Sequence, residues 1–452
     1  MTQKQHPRRT LLTRATLLTM KPGGEVIPDG SVLIEANRIT GIYRAGETVP
    51  DLSSGDTVDL GGKFLLPGFV QTHVHLCQTL YRGRAEELEL LQWLGDRIFP
   101  FEASHNEGSM HASAMLGIAE LIGSGTTTVL DMGSVGYEEE IIRAVGETGF
   151  RAFVGKSMMD LNDLYPALRE STADSLSATR ALAEQWHGSY GDRVRYAAAP
   201  RFVLSCTDRL LRETSELVRE FPGMLLHTHA SENRGEIRAV RERCGMENIE
   251  FLDHVGLLSP KAVLAHCIHM SEREIGILKT TGSTISHCPS SNLKLGSGVA
   301  DIPSYLSHGL PVTIGADGAP CNNSLDMFHE MRLASLLQKP KYGPKAMPAR
   351  SVLEMATREG AKALGLGADL GTIEKGKLAD LIVLDLDNIW DSTGPAEDPF
   401  AAVVYSAGPR NVDSVMIDGR WVYRHRQYDT LDPAAVRRNA LAQLGKLLER
   451  MG

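Results

Sequence analysis

The sequence lacks the features that mark a secreted, membrane-bound or nucleic-acid-binding protein. Its six cysteines are scattered without a CxxC pair, so they predict reduced, mostly buried thiols and no disulfide framework. It contains no run of about 18 apolar residues and no secretory h-region near its start, which argues against a membrane span and predicts a cytoplasmic protein. An excess of positive charge is also lacking, since 56 acidic residues outnumber 47 lysines and arginines. The net charge of −9 offers nothing to nucleic acid or to an anionic membrane, so the expected partner is a small-molecule substrate.

The chain has 452 residues, which is more than one small core requires. Its ends and its middle section show two different sequence patterns. Residues 1–65 read as short strands and turns, with Gly61-Gly62 as one turn. Residues 366–452 contain "GTIEKGKLADLIVLDL" and "SVMIDGRWVYRHRQY", which are both typical of short β-hairpins. We therefore expect the two chain ends to pair into one small β domain.

The middle section, residues 66–365, alternates short apolar runs with amphipathic stretches such as "MHASAMLGIAELIGSG" and "SELVREF". In chain order the apolar runs are "LLPGFVQTHVHL", "TTTVLDMG", "FRAFVGKSMM", "VRYAAAPRFVL", "GMLLHTHASE", "AVLAHCIHM", "STISHCPSSN" and "PVTIGADGAP". Eight strand-like runs separated by helices predict an α/β protein with a (β/α)8 barrel. In such a barrel, functional residues lie at the carboxyl ends of the strands.

The first of these runs holds two histidines, His73 and His75, in an otherwise apolar stretch. Alternate residues of a strand point to the same face, so both imidazoles would aim in one direction. That arrangement suits a pair of metal ligands, and it equally suits two polar residues hydrogen-bonded at an ordinary strand end. The other strand ends decide between these interpretations.

Five predicted strands end in ionisable side chains. They are His73 and His75 on the first strand, His227, His229 and Glu232 on the fifth, His266 and His269 on the sixth, His287 on the seventh and Asp317 on the eighth. A zinc or iron site needs three or four nitrogen or oxygen ligands, which the first-strand pair, one fifth-strand histidine and Asp317 would supply. Glu232 is a candidate for moving protons, and His266 could hold or polarise an attacking hydroxide.

Each of these residues also has a structural interpretation. His227 is expected to point into a different layer from the metal, and His269 and His287 are more often structural. Asp317, which precedes Gly318, would alone pass for a turn residue. Other signatures fail: "FHEMR" lacks the second histidine of a zincin helix, and "PCNNS" lacks the second cysteine of the zinc nucleic-acid deaminases. The sequence has no P-loop and no dinucleotide fingerprint.

Five motifs in combination resemble the amidohydrolase superfamily, specifically its cytosine-deaminase-like aminohydrolases. They are the HxH of strand 1, "HTHASEN", "AHCIHMSE", "SHCPSSNLKLGSG" and "GADGAPCNNSLDMFHEMRLASLLQK". The resemblance covers nearly the whole chain. It implies a metal-dependent catalytic barrel over 66–365 and a composite β-sandwich domain made from 1–65 and 366–452.

The resemblance also implies roles at the matching positions. The metal ligands would be His73, His75, His229 and Asp317. Asp317 would also accept the proton of the attacking water, Glu232 would shuttle protons, and His266 would contact the hydroxide. Binuclear relatives commonly carry a carboxylated lysine on strand 4, whereas here that strand ends in "PRF". The resemblance therefore implies one divalent metal ion, with zinc favoured over iron.

Two parts of the chain resemble different subfamilies. "NNSLDMFHEMRLASLLQK" and "SNLKLGSG" look most like S-adenosylhomocysteine/methylthioadenosine deaminases, whose nucleoside-binding Trp and Glu match Trp93 and Glu102. Those deaminases carry a histidine at the end of strand 4, whereas Arg201 in "APRFVLSC" resembles the base-reading arginine of guanine deaminases. Lys156 and Arg169 could bind an anionic substrate tail; the alternative is that both are solvated charges at the barrel rim.

The expected activity is hydrolytic deamination of an aminopurine or adenosine-type nucleoside, such as S-adenosylhomocysteine, methylthioadenosine, 5′-deoxyadenosine or aminodeoxyfutalosine. One alternative is a deaminase of guanine, 8-oxoguanine or a pterin. Another is a triazine-type hydrolase, which would expel chloride or an alkylamine from a similar electron-poor ring carbon. A non-catalytic scaffold would lack ligands, and all candidate ligands are present here. The resemblance further predicts a homo-oligomer, a dimer or larger.

Overall fold

The described part of the chain folds into two β-sheets with helices between many of their strands. The computed structural model describes residues 9–52, 55–387 and 397–451. Parts of the predicted end segments lie outside the described residues, namely 1–8, 53–54, 388–396 and 452.

The strands fall into three groups along the chain. The first group is β1 (Arg9–Leu18), β2 (Val26–Glu35), β3 (Arg38–Tyr43), β4 (Asp56–Asp59) and β5 (Phe64–Pro67). The second is β6 (Phe69–His75), β7 (Thr126–Asp131), β8 (Arg151–Val154), β9 (Ser157–Met158), β10 (Val194–Pro200), β11 (Leu225–Ala230), β12 (Ala262–His266), β13 (Thr284–His287), β14 (Val312–Ile314) and β15 (Asp317–Gly318). The third is β16 (Leu381–Leu384), β17 (Val412–Ile417), β18 (Arg420–Arg424) and β19 (Gln427–Tyr428).

Helices connect these strands and cover the barrel. They are α1 (Leu90–Trp93), α2 (Phe99–Ala103), α3 (Glu107–Gly123), α4 (Glu138–Thr148), α5 (Thr172–Trp186), α6 (Ser189–Asp192), α7 (Asp208–Glu220), α8 (Arg234–Cys244), α9 (Asn248–His254), α10 (Glu272–Thr281), α11 (Pro289–Lys294), α12 (Ile302–Ser307), α13 (Ala319–Asn322), α14 (Met327–Leu336), α15 (Lys339–Tyr342), α16 (Ala349–Glu354), α17 (Gly360–Ala363), α18 (Pro399–Ala401) and α19 (Pro433–Arg450). Short 3₁₀ or π segments lie at Leu76–Tyr81, Leu94–Ile98, Pro166–Leu168, Val203–Ser205, Met355–Glu359, Ala402–Ser406 and Pro409–Asn411. Among the described residues, no helix combines the length and apolar content needed to cross a bilayer.

The two chain ends share one sheet, in the order β19-β18-β17-β16-β5-β1-β2-β3, with β4 beside β1. They meet where β5 and β16 pair antiparallel, with Leu65 opposite Val383. The predicted hairpin in "GTIEKGKLADLIVLDL" is wrong, because within that stretch only β16 forms a strand. Its first half runs as a loop against β3, where the Ile39 N–H donates to the Lys377 carbonyl at 2.8 Å. The domain boundaries near residues 65 and 366 stay a prediction.

The middle section forms the predicted (β/α)8 barrel. Its strands are parallel neighbours in the order β6, β7, β8, β10, β11, β12, β13 and β14. The eighth strand continues from β14 into β15, which pairs in parallel with β6 and closes the ring. The eight apolar runs of the sequence correspond to these eight strands. All seven residues of β6 are buried, histidines included.

Apolar side chains close the barrel at the amino ends of its strands. One layer comprises Val70, Leu130, Phe153, Ala197, Leu225 and Val263, each from a different strand. Ala361 of α17 and the neighbouring Leu364 pack against this layer. Burial of this set stabilises the strand arrangement at about 25 cal/mol per Å² of apolar surface. The opposite end of the barrel is left for the polar residues.

A cap of short helices covers the end of the barrel where the carboxyl ends of the strands meet. The cap spans α1, the π segment and α2, and α19 packs behind it. Ala440 and Leu447 of α19 are buried in one apolar cluster with Trp93 and Phe101 of the cap. The Arg450 Nε donates to the Ser104 carbonyl at 2.7 Å and ties the end of α19 to the end of α2. The C-terminal helix therefore positions one wall of the space above the barrel.

Candidate active site

Four side chains from three strands converge at the carboxyl end of the barrel. His73 and His75 end β6, His229 lies near the end of β11, and Asp317 begins β15. The Asp317 Oδ1 lies 3.2 Å from the His73 Nε2 and 3.4 Å from the His75 Nε2. The Nε2 atoms of His75 and His229 are 3.3 Å apart. Three nitrogens and one carboxylate oxygen form a donor set that suits a zinc or iron ion.

Hydrogen bonds at Nδ1 leave the Nε2 atoms of two of these histidines free for a metal. The His75 Nδ1 donates to the Met132 carbonyl and the His229 Nδ1 to the Arg201 carbonyl, each at 2.7 Å. Burial lowers the pKa of His75 to about 3 and holds that of His229 well below its ordinary value, so both rings are neutral. Each Nε2 then presents a lone pair to the other. Two lone pairs 3.3 Å apart repel each other unless a cation lies between them, so these residues fit a metal ion.

The backbone approaches very closely where the eighth strand passes the first. A Cβ on Gly315, between β14 and β15, would lie only 2.7 Å from the His73 carbonyl oxygen and 2.8 Å from the His73 Cβ. No side chain fits there without moving one strand. Glycine at this position therefore lets Asp317 reach the β6 histidines.

Glu232 and His266 face each other beside the four converging side chains. The His266 Nδ1 donates to the Asn292 Oδ1 at 2.8 Å, which leaves its Nε2 3.4 Å from the Glu232 Oε2. The same Nε2 is 3.8 Å from the Asp317 Oδ2. Burial, with a further contribution from the Asp317 charge, raises the pKa of Glu232 well above its ordinary value. A pKa above the ordinary value suits a carboxyl group that accepts and returns a proton during a reaction.

Four residues at these strand ends have a left-handed backbone, which is unusual for residues with a Cβ. Their φ angles are 51° for Ser231, 74° for His266, 47° for Cys267 and 64° for Asp317. Such conformations cost of the order of 1–3 kcal/mol each and persist only where surrounding contacts impose them. Here backbone bonds between strand ends do so; for example, the Cys267 N–H donates to the Ala230 carbonyl at 2.9 Å. The strain lies where the functional side chains turn into the site.

A pocket opens above these residues, with about 400 Å³ of empty space that includes solvent at its open mouth. On one side it is lined by His75, His229, Glu232, His266 and Asp317, and on the other by Leu90, Trp93, Leu94, Phe202 and Leu295. The Trp93 Nε1 donates to the Ala85 carbonyl at 3.1 Å, so its indole offers the pocket an apolar surface. A polar floor beneath an apolar wall suits a heterocycle with an apolar substituent.

Arg201 and Glu102 form a buried ion pair at the pocket. Arg201 donates from Nη1 and Nη2 to the two carboxylate oxygens of Glu102, at 2.7 and 3.0 Å, and the Gln78 Nε2 donates a further hydrogen bond to Glu102 at 2.8 Å. Both charged side chains are at most 2% exposed. The Arg201 guanidinium lines the pocket and also lies 5.0 Å from the Phe99 ring centroid. The carboxylate of Glu102 is thus engaged by partners within the protein.

The structure does not bring Lys156 and Arg169 to this pocket. The buried Lys156 Nζ donates to the Glu170 Oε2 at 2.5 Å and to the Ser157 carbonyl at 3.3 Å. Arg169 is exposed. Neither residue is among those that line the pocket.

The three histidines without a predicted ligand role have distinct environments. His227 lies one layer deeper in the barrel than His229, and its Nε2 is 2.7 Å from the His73 Nδ1. The His269 Nε2 donates to the Ser297 carbonyl at 2.7 Å. Burial lowers the pKa of His287 to about 3.

Sequence reasoning missed two polar residues that hold the site together. Glu236 accepts the backbone N–H groups of Glu232, at 2.8 Å, and of Asn233, at 3.3 Å. The spacing Asn233-x-x-Glu236 is a capping-box pattern that could have identified this role. Asn292, which orients His266, has no comparable local signal, because the two residues lie on different strand–helix connections.

The chain is similar to known proteins in sequence and in fold. A family model described as "Amidohydrolase family" matches residues 64–422. A 5′-deoxyadenosine deaminase of Methanothermobacter thermautotrophicus is 41% identical, covering 92% of this chain and 95% of the relative. A 5-methylthioadenosine/S-adenosylhomocysteine deaminase of Syntrophobacter fumaroxidans is 36% identical, covering 93% and 94%. The crystal structure of a Xanthomonas campestris adenosine deaminase with bound zinc superposes with a TM-score of 0.90 at 29% identity, covering 98% and 99%.

Proposed function

Because this chain belongs to the amidohydrolase family, we propose that it is a metal-dependent hydrolytic deaminase of adenosine-type nucleosides that releases ammonia. One observation carries the proposal: His73, His75, His229 and Asp317 converge beside Glu232 and His266 at the floor of a pocket with an apolar far wall. The names of the similar deaminases support the choice of an adenosine-type substrate.

One zinc ion is the proposed cofactor, held by His73, His75, His229 and Asp317. When bound, such an ion activates a water molecule and stabilises developing negative charge. Iron would accept the same donor set. The zinc in the similar adenosine deaminase structure favours zinc here.

Two residues of this chain would carry the protons of the reaction, and a third would stabilise charge. Glu232 gives its proton to a ring nitrogen beside the amino-bearing carbon while water adds to that carbon. Asp317 takes a proton from the attacking water, and His266 stabilises the charge that develops on the oxygen. Glu232, now a carboxylate, would take the remaining proton of the added hydroxyl and deliver it to the amino group, which leaves as ammonia while the ring regains its conjugation as an oxo-purine. The proton held by Asp317 would then return to Glu232 for the next cycle.

The pocket favours a small, uncharged group at the 5′ position of the nucleoside. Its far wall is apolar, and its cation, Arg201, is already neutralised by Glu102. Lys156 is bonded to Glu170 and does not line the pocket. A substrate carboxylate would therefore lose hydration without gaining a counter-charge. We infer that 5′-deoxyadenosine and methylthioadenosine are better substrates than S-adenosylhomocysteine.

The test is ammonia release by protein of measured metal content, with Glu232→Gln as the inactive control. The substrates are 5′-deoxyadenosine, methylthioadenosine, S-adenosylhomocysteine, aminodeoxyfutalosine, guanine and a chlorotriazine. The expected result is the highest kcat/KM for the first two. Turnover of guanine alone would contradict the nucleoside assignment and make Arg201 a base-reading residue. Chloride release from the triazine without any ammonia release would contradict deamination.

A further inference from the structure

One of the three ligand histidines is oriented differently from the other two. His75 and His229 each donate from Nδ1 to a backbone carbonyl. The Nδ1 of His73 instead lies 2.7 Å from the Nε2 of another side chain, His227. The orientation of His73 therefore depends on a residue that can be substituted, whereas the other two depend on the main chain.

The second hydrogen bond of His227 determines which ring donates in the bond between His73 and His227. The His227 Nδ1 lies 3.0 Å from the Val263 carbonyl oxygen, which can only accept, so His227 carries its proton on Nδ1. In the neutral ring its Nε2 is then an acceptor, and the His73 Nδ1 must donate to it. The consequence is that the His73 Nε2, which faces Asp317 at 3.2 Å, keeps a lone pair.

The surroundings give His227 no other polar role. It is fully buried in the barrel interior, and the two hydrogen bonds satisfy both ring nitrogens. Its ring meets that of His73 edge-on, with centroids 4.8 Å apart. An apolar side chain of similar size would fill this space without the burial penalty of an imidazole. The imidazole gives His73 an acceptor that an apolar residue would lack.

We propose that His227 is a positioning residue that holds the Nδ1–H tautomer of His73 and thereby sets the affinity of the site for its metal. This inference rests on the metal site of the proposed function, and it adds a residue beyond the four ligands. Loss of a residue that is hydrogen-bonded to a metal ligand commonly weakens metal binding about 10–100-fold.

Two polar substitutions separate the acceptor from the rest of the side chain. In His227→Asn the amide sits at the position of Nδ1, so it can donate to Val263 but cannot reach His73. In His227→Gln the amide oxygen sits at the position of Nε2 and can accept from His73. Zinc dissociation constants, measured by chelator competition, are expected to rise about 10–100-fold in His227→Asn and to stay within a few-fold of wild type in His227→Gln.

Leu225→Ala is the matched control, because Leu225 lies two residues earlier on β11, inside the barrel, in the apolar layer away from the metal. It should lower thermal stability and leave zinc affinity unchanged. Wild-type affinity in His227→Asn would overturn the proposal, and so would equal losses in both His227 variants. A wild type that binds no zinc would instead refute the proposed metal site itself.

If neither His227 variant folds, the tautomer can be read in the wild-type protein from long-range ¹H–¹⁵N spectra of labelled histidine. The expected result is a proton on the Nδ1 of His227. A proton on its Nε2 would overturn the proposal.

Discussion

Replacing Glu102 by glutamine tests whether the buried pair with Arg201 is a structural element or part of a nucleoside-binding surface. The pair is at most 2% exposed and makes two hydrogen bonds of 2.7 and 3.0 Å. Glu102→Gln preserves the shape of the side chain but leaves the Arg201 guanidinium without a counter-charge. Losing one partner of a buried pair costs about 3–5 kcal/mol. At roughly 1 °C per kcal/mol for a chain of 452 residues, the melting temperature should fall by about 3–5 °C.

The assay is differential scanning calorimetry on variants of equal metal content. Glu220→Gln is the control, since it removes the charge from a similar bidentate ion pair with Arg180 on the surface. No measurable change in melting temperature is expected there. Adding Arg201→Met to Glu102→Gln removes both charges and should recover much of the loss. The reasoning is refuted if Glu102→Gln melts with the Glu220→Gln control and only the KM for nucleoside rises, because Glu102 would then act on substrate.

Four further outcomes are expected. Glu232→Gln removes the transferable proton and should lower kcat about 10²–10⁴-fold with metal content unchanged; an undiminished kcat would exclude proton transfer by Glu232. His73→Ala should lose the metal measured by atomic emission, and full retention would refute ligation. Gly315→Ala forces a Cβ to within 2.8 Å of His73, so weaker metal binding is expected, and normal binding would show that the strands separate easily. Burial lowers the pKa of His105 to about 4 from 6.5, so the folded protein resists a proton that the unfolded chain accepts. The contribution of His105 to the free energy of unfolding should fall by about 3 kcal/mol as the pH drops from 6.5 through 4. In urea titrations, the free energy of unfolding of His105→Gln should therefore depend less on pH over this range, and an unchanged dependence would contradict the shift.

The barrel could be predicted because its signals are local. Each strand is a short apolar run next to a helical pattern, and the spacing of His73 and His75 fixes that both point into the same site. The carboxyl ends of parallel strands always meet at one end of a barrel. Residues far apart in the chain, such as His229 and Asp317, could therefore be assigned to one place without knowledge of any contact.

The features that could not be predicted from the sequence depend on side-chain contacts between distant segments of the chain. Glu102 and Arg201 are 99 residues apart, and nothing near either residue indicates that they neutralise each other. The position of His227 followed from strand alternation, but its contact with His73 depends on the layer that each side chain occupies. The left-handed backbone of Asp317 is likewise imposed by neighbouring strands and leaves no trace in the local sequence.

The parallel pairing of β15 with β6 has a consequence for biosynthesis. This pairing places Asp317, from the last strand of the barrel, beside two histidines of the first. A nascent chain that has emerged only as far as β13 already carries all three histidines proposed as ligands, yet it lacks the carboxylate and the strand that completes the ring. The full donor set comes together only when the ring closes, so metal uptake at full affinity distinguishes finished barrels from partial ones.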